Sequence, residues 1–108
     1  MTVDAALTSF LDWLAAERRA SPATITAYRH DIATFLGFLT RHLGAAPDRA
    51  ALGALTAADF RAWLAERAAE GVTNATRARG LAALRSLLTT RLFVRARILG
   101  AIMRVAYL

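Results

Sequence analysis

The chain contains no cysteine, which excludes disulfide bonds, thiolate metal sites and cysteine nucleophiles and fits a reducing compartment. It has only two prolines and six glycines, so collagen-like and low-complexity classes are excluded. No apolar run approaches the roughly 20 residues of a membrane span, and no basic-then-apolar leader opens the chain. We therefore expect a cytoplasmic protein rather than a secreted or membrane-spanning one.

The composition favours a small helical domain with a basic surface. The 108 residues suffice for one domain with a modest core, and 26 of them are alanine, the strongest helix former. A hydrophobic content of 56% argues against intrinsic disorder. All fourteen basic residues are arginine, against eight acids, which gives a net charge of +6. A GC-rich genome explains the choice of arginine over lysine but not the net excess, which favours a polyanionic partner.

Apolar residues recur with helical periodicity in four segments, and no segment alternates with period two for long enough to form a strand. Serine or threonine precedes three of these segments and glycine follows two, as is typical of helix caps. We predict an all-α fold of four helices with room for a fifth, and a loop or frayed turn between Gly44 and Leu55. The predicted limits are Val3 to Arg19, Pro22 to about His42, Thr56 to Gly71, and Thr73 to Leu88.

The apolar stripes predict one core shared by these helices. Its expected members include Trp13, Tyr28, Trp63 and Leu84. In the fourth helix we place Leu81 at the centre of the buried face and advance by about 100° per residue. The inner face predicted in this way carries Ala78, Leu81, Leu84 and Leu88.

Groups that perform catalysis or bind metals are sparse. The sequence has no glycine-rich phosphate loop, and its only histidines are His30 and His42. Without cysteine, two histidines make a weak metal site. Glu66 and Glu70 lie near arginines, as is typical of a solvated helix face. We expect no catalytic residue, no metal, no cofactor and no small-molecule substrate, so the chain is predicted not to be an enzyme by itself.

Two of the predicted helices carry small and polar residues opposite their apolar stripes. In the fourth helix, Arg79 lies about 160° from Leu81 and is expected to point straight outward. In the second helix, Thr26 and His30 lie opposite the stripe, with Arg29 at its border. Their predicted small neighbours are Ala23, Ala33, Gly37, Thr76, Ala83 and Ser86. Such a face can enter a DNA major groove, because bulky residues there would block the approach.

Most of these features also have a structural explanation. Serine and threonine at a helix start are caps first, although helix N-termini can also bind phosphates. Arginines beside an apolar stripe can pack along it or pair with acids. The candidate caps are Ser21, Thr56 and Thr73. The arginines are Arg29, Arg77 and Arg85, and the acids that could pair with them are Asp31, Glu66 and Glu70. Composition and spacing therefore leave two interpretations open, nucleic-acid binding and purely structural roles for these residues. Only the position of Arg79 on its helix favours nucleic-acid binding.

Four segments resemble the opening of Xer-type tyrosine recombinases. The family pattern Ser-x-x-Thr-x-x-x-Tyr-x-x-Asp-Leu is matched by Ser21, Thr24, Tyr28, Asp31 and Ile32. The remaining similarity lies in residues 10–14 and 17–20, the aromatic run 35–39, the third-helix segment 55–64 and the fourth-helix segment 78–86. The segments stand in the family's order and spacing and cover roughly residues 5 to 88.

The resemblance implies a fold and a function. In this family the segment is the N-terminal core-binding domain, a SAM-like orthogonal bundle that clamps a half-site of double-stranded DNA together with a catalytic domain. It implies a role in DNA integration or recombination, of the chromosome-dimer-resolution type, with the second and fourth helices against the major groove. The candidate DNA-binding residues are Thr24, Thr26, Arg29, His30, Thr76, Arg77 and Arg79. Because the family's catalytic residues belong to the other domain, we expect binding without strand cleavage.

The end of the chain departs from the family. We assign residues 1–88 to the core-binding domain and 89–108 to an atypical tail or fifth helix, either a truncated or frame-shifted end or an unusual last helix. Related recombinases use the fifth helix to contact a neighbouring protomer, so we expect a homo-oligomer or a partner recombinase there. Tyr107 lacks the surroundings of a nucleophile. The alternatives are a protein-interaction module that self-associates through this apolar tail, or a basic amphipathic tail on an acidic membrane surface.

Overall fold

The computed structural model describes residues 2–89 and 101–105, which form helices joined by short turns and contain no β-strand. These residues form α1 (Val3–Ala16), α2 (Pro22–Leu43), α3 (Arg49–Gly53), α4 (Ala57–Ala69) and α5 (Asn74–Leu88). Residues 101–105 add a further helical segment. The predicted all-α class is therefore confirmed.

Hydroxyl side chains begin α2 and α5 where the sequence predicts. The Ser21 hydroxyl oxygen accepts a hydrogen bond from the N–H of Thr24 at 3.1 Å, and that of Thr73 accepts from Thr76 at 3.2 Å. Gly44 ends α2 in the left-handed conformation, with a φ of 84°. These contacts occupy backbone groups that a helix end leaves unpaired, so they explain why the helices begin and end at these residues.

One predicted helix end and one predicted loop are wrong. α1 ends at Ala16, short of Arg19, whose φ of 52° is left-handed and stops a right-handed helix. The predicted loop between α2 and α4 contains the short helix α3. Asp48 begins it, since its carboxylate accepts the N–H of Ala51 at 2.8 Å.

Aromatic side chains fill the centre of the bundle. The ring of Phe35 lies parallel to that of Phe60, with centroids 5.5 Å apart, and edge-on to Trp63 at 5.1 Å. All three side chains are buried. Because aromatic pairs at these distances add to the energy of burial, this cluster holds α2 and α4 together.

The predicted core is confirmed at three of its four named residues. Trp63 and Leu84 are fully buried, and Tyr28 is half-buried against the core. Trp13 is the exception, with 40% of its surface exposed. It lies on the flank of α1, where one side of the ring rests against Phe10, 6.3 Å away.

The buried face of α5 is rotated from the predicted one. Its buried residues are Gly80, Ala83, Leu84, Leu87 and Leu88, whereas Leu81 is half-buried and Ala78 is exposed. The centre of this face lies roughly 90° from the predicted centre, at 100° per residue. The reason is a close helix approach: a Cβ built on Gly80 would lie 2.9 Å from Cη2 of Trp63. α5 therefore turns its small residues, together with its leucines, toward α2 and α4.

Part of the predicted tail belongs to the core. Ala101 and Ile102 are buried among the residues of the bundle, and Val105 is packed against the same core. Residues 90–100 and 106–108, including Tyr107, lie outside the described residues. No helix in the part of the chain that the structure describes is long and apolar enough to cross a membrane.

Candidate nucleic-acid interface

α5 packs mainly against α2, and these two helices carry all the candidate DNA-binding residues. A polar contact joins them. Arg79 of α5 donates hydrogen bonds from Nε to Oδ2 of Asp31 at 2.8 Å and from Nη2 to Oδ1 at 3.0 Å. Such two-pronged pairing of a guanidinium with a carboxylate is strong and fixes the orientation of both groups.

The prediction that Arg79 points straight outward is therefore wrong. Because the buried face of α5 is rotated, Arg79 lies about 110° from its centre, on the flank beside α2. Ala83, predicted as its exposed neighbour, is fully buried. The side chain of Arg79 nevertheless remains 42% exposed. The hydrogen bond to Asp31 raises the pKa of Arg79, so the guanidinium stays charged.

Asp31 has no exposed surface and faces a second arginine. Arg67 of α4 is also buried, with Nη2 3.6 Å from Oδ1 of Asp31 and its guanidinium 5.0 Å from the ring centre of Trp63. Among the described residues, Nε and Nη1 of Arg67 have no hydrogen-bond partner. We call Asp31, Arg67 and Arg79 the Asp31 cluster. One negative and two positive charges give it a net charge of +1.

Sequence reasoning missed this cluster, although the sequence carries a signal for it. Asp31 follows Tyr28 by three residues, and Arg67 follows Trp63 by four. Both charged residues therefore lie in phase with apolar stripes. Because a charged residue is rarely buried without a partner, two such positions on facing helices indicate a buried ion pair.

The outer face of α2 is exposed as predicted. Thr26, Arg29 and His30 are all exposed, as are the small residues Ala23 and Ala33 beside them. This face therefore presents one permanent positive charge, one imidazole and a hydroxyl, with little bulk around them. A DNA backbone can approach such a surface closely.

Three other candidate residues are occupied by contacts within their own helix starts. The hydroxyl of Ser21 donates to that of Thr24, and the hydroxyl of Thr73 donates to that of Thr76, both at 3.0 Å. Arg77 donates to the Val72 carbonyl and to Oδ1 of Asn74. These local bonds give Thr24, Thr76 and Arg77 structural roles, and a part in DNA binding stays a prediction for them.

Two further pairs hold the C-terminal end of α2 on α4. Nε2 of His42 lies 2.9 Å from Oδ1 of Asp59, and Arg41 donates to Glu66 at 2.9 Å. We call these two contacts the surface pairs. Partial burial raises the pKa of Asp59, but hydrogen bonds from Thr56 and His42 outweigh it, so the net shift is downward. No group of three or more metal-binding side chains occurs within residues 2–89 and 101–105.

The fold and the sequence together place the chain in a protein family. The chain belongs to the family described as "Phage integrase, N-terminal SAM-like domain", which matches residues 7–91. The predicted SAM-like bundle and the predicted resemblance are therefore confirmed.

Similar proteins include two tyrosine recombinases. The tyrosine recombinase XerC of Rhodospirillum centenum is 51% identical over 74 residues, which is 68% of this chain and 22% of the relative. That of Mesorhizobium japonicum is 46% identical over 86 residues, which is 80% of this chain and 28% of the relative. The chain thus spans about a quarter of the length of these relatives. No solved structure matches it.

Proposed function

We propose that this domain binds double-stranded DNA as the N-terminal docking part of a site-specific tyrosine recombinase. The observation that carries the proposal is the exposed basic surface of the two helices that pack together, with Arg29 on α2 and Arg79 on α5. A net charge of +6 supports a polyanionic partner, since phosphate contacts supply most of the affinity of a basic protein for DNA. The relatives, named as recombinases, support the same partner.

Within this proposal the domain binds and does not cut. It holds one side of a recombination half-site, and strand cleavage belongs to parts of a recombinase outside this domain. The match to an N-terminal domain, together with relatives about four times as long, supports this division of labour. Incubation with a nicked duplex substrate should therefore leave no covalent protein–DNA adduct.

A salt titration of duplex binding tests the proposal. The fluorescence anisotropy of a labelled mixed-sequence duplex is measured against protein concentration at several salt concentrations. We expect the logarithm of the affinity to fall linearly with the logarithm of salt concentration, because phosphate binding releases counterions. A chain that shows no duplex affinity even at low salt would contradict the proposal.

Two arginine variants locate the surface. Arg29→Ala removes an exposed charge from α2 and should reduce the salt slope by about one if Arg29 contacts a phosphate. Arg18→Ala is the matched control, since Arg18 is also exposed but lies over the ring of Trp13, at the end of α1. Equal losses in the two variants would mean that only net charge matters, and they would exclude a defined surface on α2.

The same titration separates DNA binding from the protein-interaction alternative. An interaction module would show little duplex affinity and concentration-dependent self-association. Ala101 and Ile102 are buried in the domain's own core, so these two apolar residues of the tail are not available to a partner. DNA binding is therefore the function that the described residues favour.

A further inference from the structure

The Asp31 cluster places a buried carboxylate directly beneath an exposed arginine. Asp31 has no contact with solvent, whereas 42% of the Arg79 side chain is exposed. A guanidinium carries five N–H donors, and Asp31 takes two of those on Arg79, which leaves three. Arg79 is thus held at its inner edge and retains donors for a partner.

The close approach of α5 makes this arrangement possible. A Cβ built on Gly80 would lie 3.7 Å from Cγ of Asp31 and 2.9 Å from Trp63. Because Gly80 has no side chain, the Asp31 carboxylate lies against α5 next to Arg79. The guanidinium is therefore held by a neighbouring helix at a fixed place on the surface, and its long stem cannot sweep through solvent.

The second arginine explains why the carboxylate does not cancel the charge of Arg79. Arg67 faces Asp31 from α4, so the negative charge is balanced from the protein's interior. The cluster keeps a net charge of +1, and its exposed member is the cation. A phosphate that approaches Arg79 therefore meets a positive site, even though Arg79 is already paired.

We propose that Asp31 is a positioning residue for DNA binding: it orients the Arg79 guanidinium so that its remaining N–H groups bind a phosphate or a base edge. The inference rests on the proposed DNA-binding function. A side chain oriented before binding loses less conformational entropy when the complex forms. Asp31 itself touches no DNA and acts through Arg79.

The direction in which Asp31→Asn changes the duplex affinity tests this proposal. If Asp31 were only a counter-ion, its neutralisation would raise the net charge of the Asp31 cluster from +1 to +2 and raise duplex affinity. If Asp31 positions Arg79, affinity should fall roughly three- to tenfold. Asp12→Asn is the matched control, because Asp12 is an exposed acid on α1, and its affinity should stay unchanged or rise slightly. An unchanged or higher affinity for Asp31→Asn overturns the proposal.

A double-variant cycle shows whether the effect passes through Arg79. In the Arg79→Ala background, Asp31→Asn should cause no further loss of affinity, since there is no guanidinium left to orient. A full additional loss would place the effect of Asp31 elsewhere and overturn the proposal. Circular dichroism and the urea midpoint of each variant check that the chains compared are folded.

Arg79→Lys tests the same idea without changing Asp31. Lysine keeps the positive charge but lacks the planar fork that binds Asp31 and a phosphate at once. Its affinity should stay within about twofold of that of Arg79→Ala. If lysine restores wild-type affinity, Arg79 acts as a simple charge and needs no orientation, which overturns the proposal even if Asp31→Asn does not fold.

The outcomes also separate this inference from the function on which it rests. A wild-type chain without duplex affinity overturns both. A wild-type chain that binds with a steep salt dependence, beside an Asp31→Asn variant that binds as well or better, overturns the positioning role alone.

Discussion

α2 makes polar contacts with its neighbours in two regions that differ in exposure. In its middle, the carboxylate of Asp31 is fully buried between two arginines. At its C-terminal end, the surface pairs bind α4 with side chains that are between 19% and 63% exposed. The Arg79–Asp31 hydrogen bond at 2.8 Å is as short as the surface pairs at 2.9 Å, so these contacts differ in burial far more than in length.

Because of this difference in burial, we expect the fold to depend on the Asp31 cluster and to depend little on the surface pairs. A buried ion pair balances large desolvation costs, so removal of one partner leaves an unpaired charge in the interior. An exposed pair trades contacts with water for contacts of similar energy and contributes at most about 1 kcal/mol. The Asp31 cluster should therefore control both the stability and the position of α5, and the surface pairs should adjust stability only slightly.

The largest effect is expected at Asp31. Asp31→Ala should lower the free energy of unfolding by about 3–5 kcal/mol, because it leaves Arg67 charged and buried without a counter-ion. Urea denaturation measures the loss. The double variant Asp31→Ala/Arg67→Met should regain most of it, since no unpaired charge then remains. A double variant as unstable as the single one would mean that packing, and not charge, sets the cost.

A smaller effect is expected at Gly80, where α5 approaches α4. Gly80→Ala should destabilise the fold by about 1–3 kcal/mol, because the new Cβ would lie 2.9 Å from the Trp63 ring. Gly37→Ala is the control: its Cβ would meet only the end of Arg41, at 3.9 Å. The control should gain roughly 0.5–1 kcal/mol from the better helix propensity of alanine. A gain in both variants would refute the close approach.

The sequence predicts the fold well where large apolar residues form the buried face of a helix. In α2 the large apolar residues Ile32, Phe35 and Leu39 lie on one stripe and are fully or nearly fully buried. A helical wheel built on large residues therefore places its outer face correctly. Caps such as Ser21 and Thr73 are equally predictable, because their bonds join residues three positions apart.

α5 shows why the rest is not predictable in the same way. Its buried face includes Gly80 and Ala83, which carry little apolar surface and give a weak hydrophobic signal. The burial of Gly80 depends on the ring of Trp63, which lies on another helix and is not part of the local sequence. The pairing of Arg79 with Asp31 follows from that packing and joins residues 48 positions apart. Long-range contacts of this kind decide the candidate site.

The smallest effect is expected at the surface pairs and depends on pH. Asp59→Asn should lower the free energy of unfolding by about 1 kcal/mol near neutral pH, because it removes the charge that accepts hydrogen bonds from Thr56 and His42. Chemical denaturation at a series of pH values measures this difference. Asp12→Asn, an exposed change of the same chemistry, should stay within about 0.5 kcal/mol at each pH.

The direction of the pH dependence follows from the pKa of Asp59. In the folded chain this pKa lies below its ordinary value of 3.8, so the ionised carboxylate is stabilised by folding. Its contribution is complete above that ordinary value and is lost as the pH falls below 3.8 and through the lowered pKa. The stabilities of the wild type and Asp59→Asn should therefore converge in acid. A difference in stability that persists in acid would show that the Asp59 contact stabilises the fold without its charge. The contact would then be equivalent to an ordinary neutral hydrogen bond.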